Sequence, residues 1–144
     1  MAEKIQSVEV SYFVHGTEDL ERVSRTIADR LGLPNPPELE SLEGHFGNRI
    51  VRVSHHLTGD EAMHAFRIIV SFIGKDGVKE MLAGLDLALD EHKALYIRLG
   101  KQELLREAAV FSSTDAVRSK IRPRGYMAKE NANYFYSRLM EGSG

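Results

Sequence analysis

The sequence predicts an α+β fold, an antiparallel or mixed sheet with helices packed on one face. Three observations point there. Several stretches alternate apolar and polar residues with a period of two, so each reads as a strand with one buried side. Other stretches repeat their apolar residues at helical spacing and are interleaved with the strands. The strands look joined as hairpins, not by the long crossovers that parallel pairing requires. Helices on one side then leave the other sheet face to solvent.

Each element has its own justification. Ile5 to Val14 alternates, with Val8, Val10, Tyr12 and Val14 on one side and Glu9, Ser11 and Phe13 on the other. Thr17 reads as an N-cap followed by the acidic Glu18 and Asp19. Leu20, Val23, Ile27 and Leu31 then recur at helical spacing as far as Gly32, and Pro34, Pro36 and Pro37 prevent continuation. Glu38 to Glu43 and Arg49 to His55, with Val51 and Val53 inward, form a hairpin around the turn Gly44 to Asn48. Thr58-Gly59-Asp60-Glu61 fits a capping box and opens a helix through Met63, Phe66, Val70 and Ile73. Gly74-Lys75-Asp76-Gly77 interrupts it before Val78, Met81, Leu82, Leu85 and Leu89, leaving either an αα-hairpin or one kinked helix.

Leu95, Ile97 and Leu99 oppose Tyr96 and Arg98 in another one-sided strand, with a short turn or helix over Gly100 to Glu107. Ala108 to Ser112 and Ala116 to Pro123 are expected to pair as the last hairpin. A terminal helix is expected over about residues 126–141, with Tyr134, Phe135, Arg138 and Leu139 along it. At 144 residues the chain is expected to be one domain.

Composition excludes several classes. With 42% hydrophobic and 28% charged residues, the chain is too apolar for intrinsic disorder. No apolar run approaches the roughly 20 residues that span a bilayer. The first five residues lack the apolar core of a signal peptide, so a cytoplasmic location is expected, with no membrane partner. The absence of cysteine rules out disulfides, thiolate catalysis and CxxC zinc sites. The absence of tryptophan leaves any stacking to Tyr, Phe or His.

The net charge of −2 conceals an asymmetry. Residues 1–92 carry 9 Lys and Arg against 16 Asp and Glu, whereas residues 93–126 carry eight against three. In the last expected strand Arg118, Lys120 and Arg122 share one face, with Arg124 just beyond. That spacing makes a cationic stripe about 14 Å long. Such a segment inside an acidic chain suits a polyanion, or else is a solvated face paired with the acidic half.

Catalytic signatures are lacking. Gly74-Lys75-Asp76-Gly77 has no preceding P-loop glycine, and neither HExxH nor HxE with PCxxC occurs. His55, His56 and His64 are the nearest approach to a metal cluster, but adjacent strand histidines point to opposite faces. Asp86, Asp90 and Glu91 read as a solvated helix face. Ser112 and Ser113 lie outside any GxSxG elbow. Neither a catalytic residue, a metal nor a cofactor is expected, and the chain is expected not to be an enzyme.

Two stretches carry recognition chemistry. In Gly44-His45-Phe46-Gly47-Asn48-Arg49 the glycines permit close backbone approach. His45 and Phe46 can stack on unpaired bases, Asn48 can read a base edge and Arg49 can meet a phosphate. The alternative is a plain hairpin loop with Phe46 packed inward. In Leu95-Tyr96-Ile97-Arg98-Leu99-Gly100-Lys101-Gln102, outward Tyr96 and Arg98 precede Lys101 and Gln102, combining a ring, two cations and an amide at a strand end. The alternative is a half-buried Tyr96 among ordinary surface charges.

These two stretches, with Val14-His15-Gly16-Thr17-Glu18-Asp19 ahead of them, resemble an archaeal RNA-binding family described as predicted exosome subunits. The resemblance covers about residues 5–125. It implies a fold like that of the large-subunit ribosomal protein that binds 5S rRNA, and RNA-linked work. The family's loop motif falls on Gly44, His45, Gly47 and Asn48, and its strand-end motif on Arg98, Lys101 and Gln102. Arg49 stands where that family commonly has proline, which loosens the loop and adds a cation. The stretch after Gly125 has no counterpart.

The expected function is therefore non-catalytic RNA binding, as an accessory factor in archaeal RNA processing, exosome-associated degradation or ribosome biogenesis. The RNA contacts expected are His45, Phe46, Asn48, Arg49, Tyr96, Arg98, Lys101, Gln102, Arg118, Lys120, Arg122 and Arg124. Exosome- or ribosome-related proteins are possible further partners, and a homo-oligomer has no specific support. The alternative is a module that docks an acidic protein on the same basic face.

Overall fold

The structure, a computed structural model, describes residues 5–34, 36–43, 48–125 and 127–143, with the side chains of Lys129 and Ser143 excepted. Five strands form one antiparallel sheet. At its centre lies β1 (Ile5–His15), flanked by β3 (Arg49–Thr58) and β5 (Ala116–Pro123). Outside these run β2 (Glu38–Glu43), paired with β3, and β4 (Leu95–Gly100), paired with β5.

The alternation seen in the sequence sets the two faces. Val8, Val10, Tyr12 and Val14 of β1 are buried with Val51, Val53 and Leu57 of β3, Leu95, Ile97 and Leu99 of β4, and Val117 and Ile121 of β5. Over this face pack α1 (Leu20–Leu31), α2 (Gly59–Ala83), α4 (Lys101–Leu105) and α5 (Lys129–Ser143), while α3 (Leu85–Ala88) adjoins β4. Burying a large aliphatic side chain contributes about 1.5–3 kcal/mol, so this contiguous layer is what holds the sheet flat against its helices.

The α1 helix buries Val23, Ile27 and Leu31, as its spacing predicts. Its N-cap is Asp19, not Thr17: the Asp19 carboxylate accepts from Arg22 N at 3.2 Å. At its end Gly32 has φ of 66°, and a side chain there would collide with Ile68 Cδ1. Thr58 does precede α2, but its hydroxyl makes no capping hydrogen bond. Gly74, at φ 73° and ψ 179°, leaves the helical conformation, so α2 is two helical stretches that meet at a kink. It stops at Ala83, and Leu85 belongs to the separate turn of α3.

Two further expectations are corrected. Residues 108–112 do not pair with β5, whose two edges are already taken by β1 and β4. They lie instead along the outer edge of β4, where Gly100 N donates to Val110 O at 2.8 Å and Ser112 N to Arg98 O at 3.1 Å. Asp90 is not on a helix face but in the turn before β4. In α5 the inward face is Ala132, Tyr136 and Met140, whereas Tyr134 is exposed. The Tyr136 hydroxyl donates to Lys93 O at 2.5 Å, tying α5 to that same turn.

The adjacent histidines do face opposite ways, His55 buried and His56 exposed. Among the described residues no three His, Asp or Glu could hold a metal ion together, and no helix is long and apolar enough to cross a membrane.

Candidate nucleic-acid interface

The sheet face turned away from the helices carries the polar half of every alternation. Register places Arg122 beside Ser7, Lys120 beside Glu9 and Arg118 beside Ser11. It then sets Tyr96 beside Lys120 and Arg98 beside Arg118. On the other flank of β1, Arg52 lies opposite Phe13, and Glu40 of β2 lies opposite Arg52. The open face thus runs from cationic on β5 and β4 to acidic along β2.

Tyr96 organises the cationic end. The guanidinium carbons of Arg98 and Arg118 lie 5.2 and 5.4 Å from its ring centroid, and the Lys120 ammonium lies 5.7 Å from it. Three like charges repel, and the negative faces of one ring offset part of that repulsion. The ring is itself anchored, because the Tyr96 hydroxyl donates to Asp90 Oδ2 at 3.2 Å. Asp90 Oδ1 in turn accepts from His92 N at 2.8 Å and Ala94 N at 2.9 Å. Burial alone would raise the Asp90 carboxyl. The hydrogen bonds from Ala94, His92 and Tyr96, with the Lys120 charge, outweigh it and hold this carboxyl below its ordinary value.

Occupied in this way, Tyr96 gathers cations and offers little ring surface to a base. Arg118 also reaches Glu9 Oε1 at 3.9 Å, which leaves its charge partly compensated. Arg98 and Arg122 are exposed and make no ion pair among the described residues. Arg124, exposed just past β5, extends the stripe.

Lys101 is a correction. Its side chain is fully buried, with the ammonium 2.6 Å from Phe13 O, 2.8 Å from Glu18 Oε1 and 3.2 Å from Asp115 Oδ1. It has no free donor for a phosphate. Gln102 is exposed, but its amide Nε2 is shared between Glu18 Oε2 at 3.1 Å and Asp115 Oδ2 at 3.4 Å. Burial acts to raise the Glu18 carboxyl. The His15 N–H, Lys101 and Gln102 hydrogen bonds and the Lys101 charge reverse this and lower it.

This ion cluster joins three segments, the turn after β1, the start of α4 and the loop before β5. The start of β3 meets them at the same end of the sheet. A Cβ on Gly16 would stand 3.3 Å from Arg49 O, a tight contact that marks how closely the β3 start approaches this turn. Asn48 and Arg49 are exposed at that end, whereas His45 and Phe46 lie outside the described residues. Asn48 and Arg49, the described part of the loop stretch, therefore lie at the end of the sheet where the other two stretches meet.

Two residues on the open face were not selected from the sequence, Phe13 and Arg52. The signal for Phe13 was present: it is an aromatic ring on the polar side of an alternating strand. Arg52 becomes notable only through the register that sets it opposite Phe13.

Comparisons with known proteins agree with this architecture. A family model described as RNA binding matches residues 7–122. An uncharacterised protein of Methanocaldococcus jannaschii is 28% identical over 125 residues, covering 80% of this chain and 82% of its relative. The crystal structure of an Archaeglobus fulgidus DUF54 protein superposes with a TM-score of 0.80 at 28% identity, covering 94% of this chain and 99% of that one. A DUF54 protein from Methanothermobacter thermautotrophicus gives 0.77 at 26% identity, covering 96% and 99%. With the family model spanning the whole sheet from β1 to β5, the chain belongs to this RNA-binding family.

Proposed function

We propose that this protein is a non-catalytic RNA-binding protein that holds the phosphate backbone on its open sheet face. The observation that carries the reading is the gathering of Arg98, Arg118 and Lys120 around the Tyr96 ring, with Arg122 and Arg124 continuing the same stripe. Successive cations on β5 are about 7 Å apart, a spacing suited to consecutive phosphates of an extended strand. Asn48 and Arg49, at the end of the sheet, enlarge the surface. The family resemblance suggests a cytoplasmic accessory role in archaeal RNA processing, exosome-linked degradation or ribosome biogenesis.

The test is fluorescence anisotropy with short single-stranded and structured RNAs. Arg98→Glu and Arg122→Glu should each weaken binding to every sequence, since phosphate contacts carry no base information. Wild-type affinity in both variants would remove the face from consideration. A protein partner retained after nuclease treatment, with no RNA affinity at low salt, would instead favour docking of an acidic protein.

A further inference from the structure

We propose that Phe13 is a stacking platform for one unpaired RNA base, so that the open face selects single-stranded over duplex RNA. This rests on the RNA-binding reading above and adds to it the form of RNA recognised.

Phe13 sits on the central strand, 45% exposed, on the face that carries the charged side chains. Leu42, itself 36% exposed, lines the same depression, so the ring belongs to a small exposed apolar patch and is not a lone surface residue. It lines a depression of about 340 Å³ together with Ser11, Glu40, Leu42, Arg52 and Arg118. The volume falls within the range of about 300–1,000 Å³ usual for small-molecule sites. Arg52 stands opposite the ring across the β1–β3 pair, and Arg118 is diagonal to it on β5.

Arg52 is paired with Glu40 Oε1 at 3.9 Å and Arg118 with Glu9 Oε1 at 3.9 Å, so their charges are partly compensated, yet a ring beside two guanidinium groups still matches the flat base and charged phosphate of a nucleotide. Arg118 also belongs to the cation cluster on Tyr96, so the depression is continuous with the phosphate-binding stripe. Phe13 and Tyr96 thus have separate tasks on this face: Tyr96 assembles charge, and Phe13 has ring area available. A base inside a duplex is stacked on both sides and cannot lie on Phe13; an unpaired one can.

The experiment is anisotropy with a short unstructured RNA and with the same strand annealed to its complement. Phe13→Ala should weaken single-strand binding about 5- to 150-fold, the range that one stacked base carries. Its salt dependence should not change, because no charge is lost. Phe13→Tyr should restore affinity, whereas Phe13→Leu, which keeps apolar area without a π face, should not. The Tyr and Leu variants preserve the comparison should the Ala variant fail to fold. Equal single-strand affinity in wild type and Phe13→Leu would overturn the proposal, as would undiminished binding by Phe13→Ala. Binding that responds to Arg122→Glu but ignores Phe13 would sink the stacking alone, while absence of any RNA binding by the wild type would sink both readings.

Discussion

Replacing Lys101 with Met keeps most of the side-chain volume and removes only its charge and donors. In the native protein the fully buried ammonium satisfies Phe13 O, Glu18 and Asp115 at 2.6, 2.8 and 3.2 Å. Without it, two carboxylates face each other beside a carbonyl that has lost its donor. Breaking a buried ion pair by removing one partner costs about 3–5 kcal/mol, mainly because the remaining charge is uncompensated. At about 2–4 °C per kcal/mol for a chain near this size, the melting temperature should fall by about 6–20 °C. Thermal unfolding followed by circular dichroism at pH 7 measures this directly. RNA affinity, measured at a temperature where the variant remains folded, should stay close to wild type, since the ammonium has no surface to offer. A variant as stable as the wild type but deficient in RNA binding would refute the assignment of Lys101 to the structure.

The lowered Glu18 carboxyl gives a pH signature. Its contribution is complete above the ordinary value of 4.5 and is lost as pH falls through the folded value, so wild-type stability should drop more steeply below pH 4.5 than that of Glu18→Gln. Parallel acid unfolding curves for the two proteins would contradict this. Gly32→Ala places a side chain at φ 66° and against Ile68, and should lower stability by about 1–2 kcal/mol from the left-handed conformation alone; an unchanged melting temperature would show that the α1 end relaxes freely. Tyr96→Phe keeps the ring and should bind RNA nearly as well as wild type. Tyr96→Ala disperses the three cations and should weaken binding by about two- to fivefold, on the scale of one exposed cation–π contact; equal affinity in the Ala variant would remove Tyr96 as an organiser of charge.

The strands and most helices were legible because each buries a single face, and periodicity reports that directly. Val8, Val10, Tyr12 and Val14 fixed the orientation of β1, and the alternation of Arg118, Lys120 and Arg122 correctly assigned them to the open face. What failed depended on contacts distant in sequence. Residues 108–112 alternate no differently from a hairpin strand, and only the occupied edges of β5 exclude them from that role. Lys101 reads like Arg98, a cation at a strand end, yet it is the first residue of α4, and the turn into that helix carries its ammonium inward to Glu18 and Asp115. Asp90 lies at helical spacing from Asp86, but the chain leaves the helix at Ala88 and uses Asp90 to fix the turn before β4. Tyr96 was recognised as outward; its crowding by cations from β5 required the register.

The most direct test of the RNA-binding face is the salt dependence of affinity for a single-stranded RNA. With about four phosphates held by Arg98, Arg118, Lys120 and Arg122, the plot of log K against log salt should have a slope near −3. Removing one contact with Arg122→Ala should bring it to about −2. A slope near zero, or one that Arg98→Ala and Arg122→Ala leave unchanged, would contradict phosphate binding at this face.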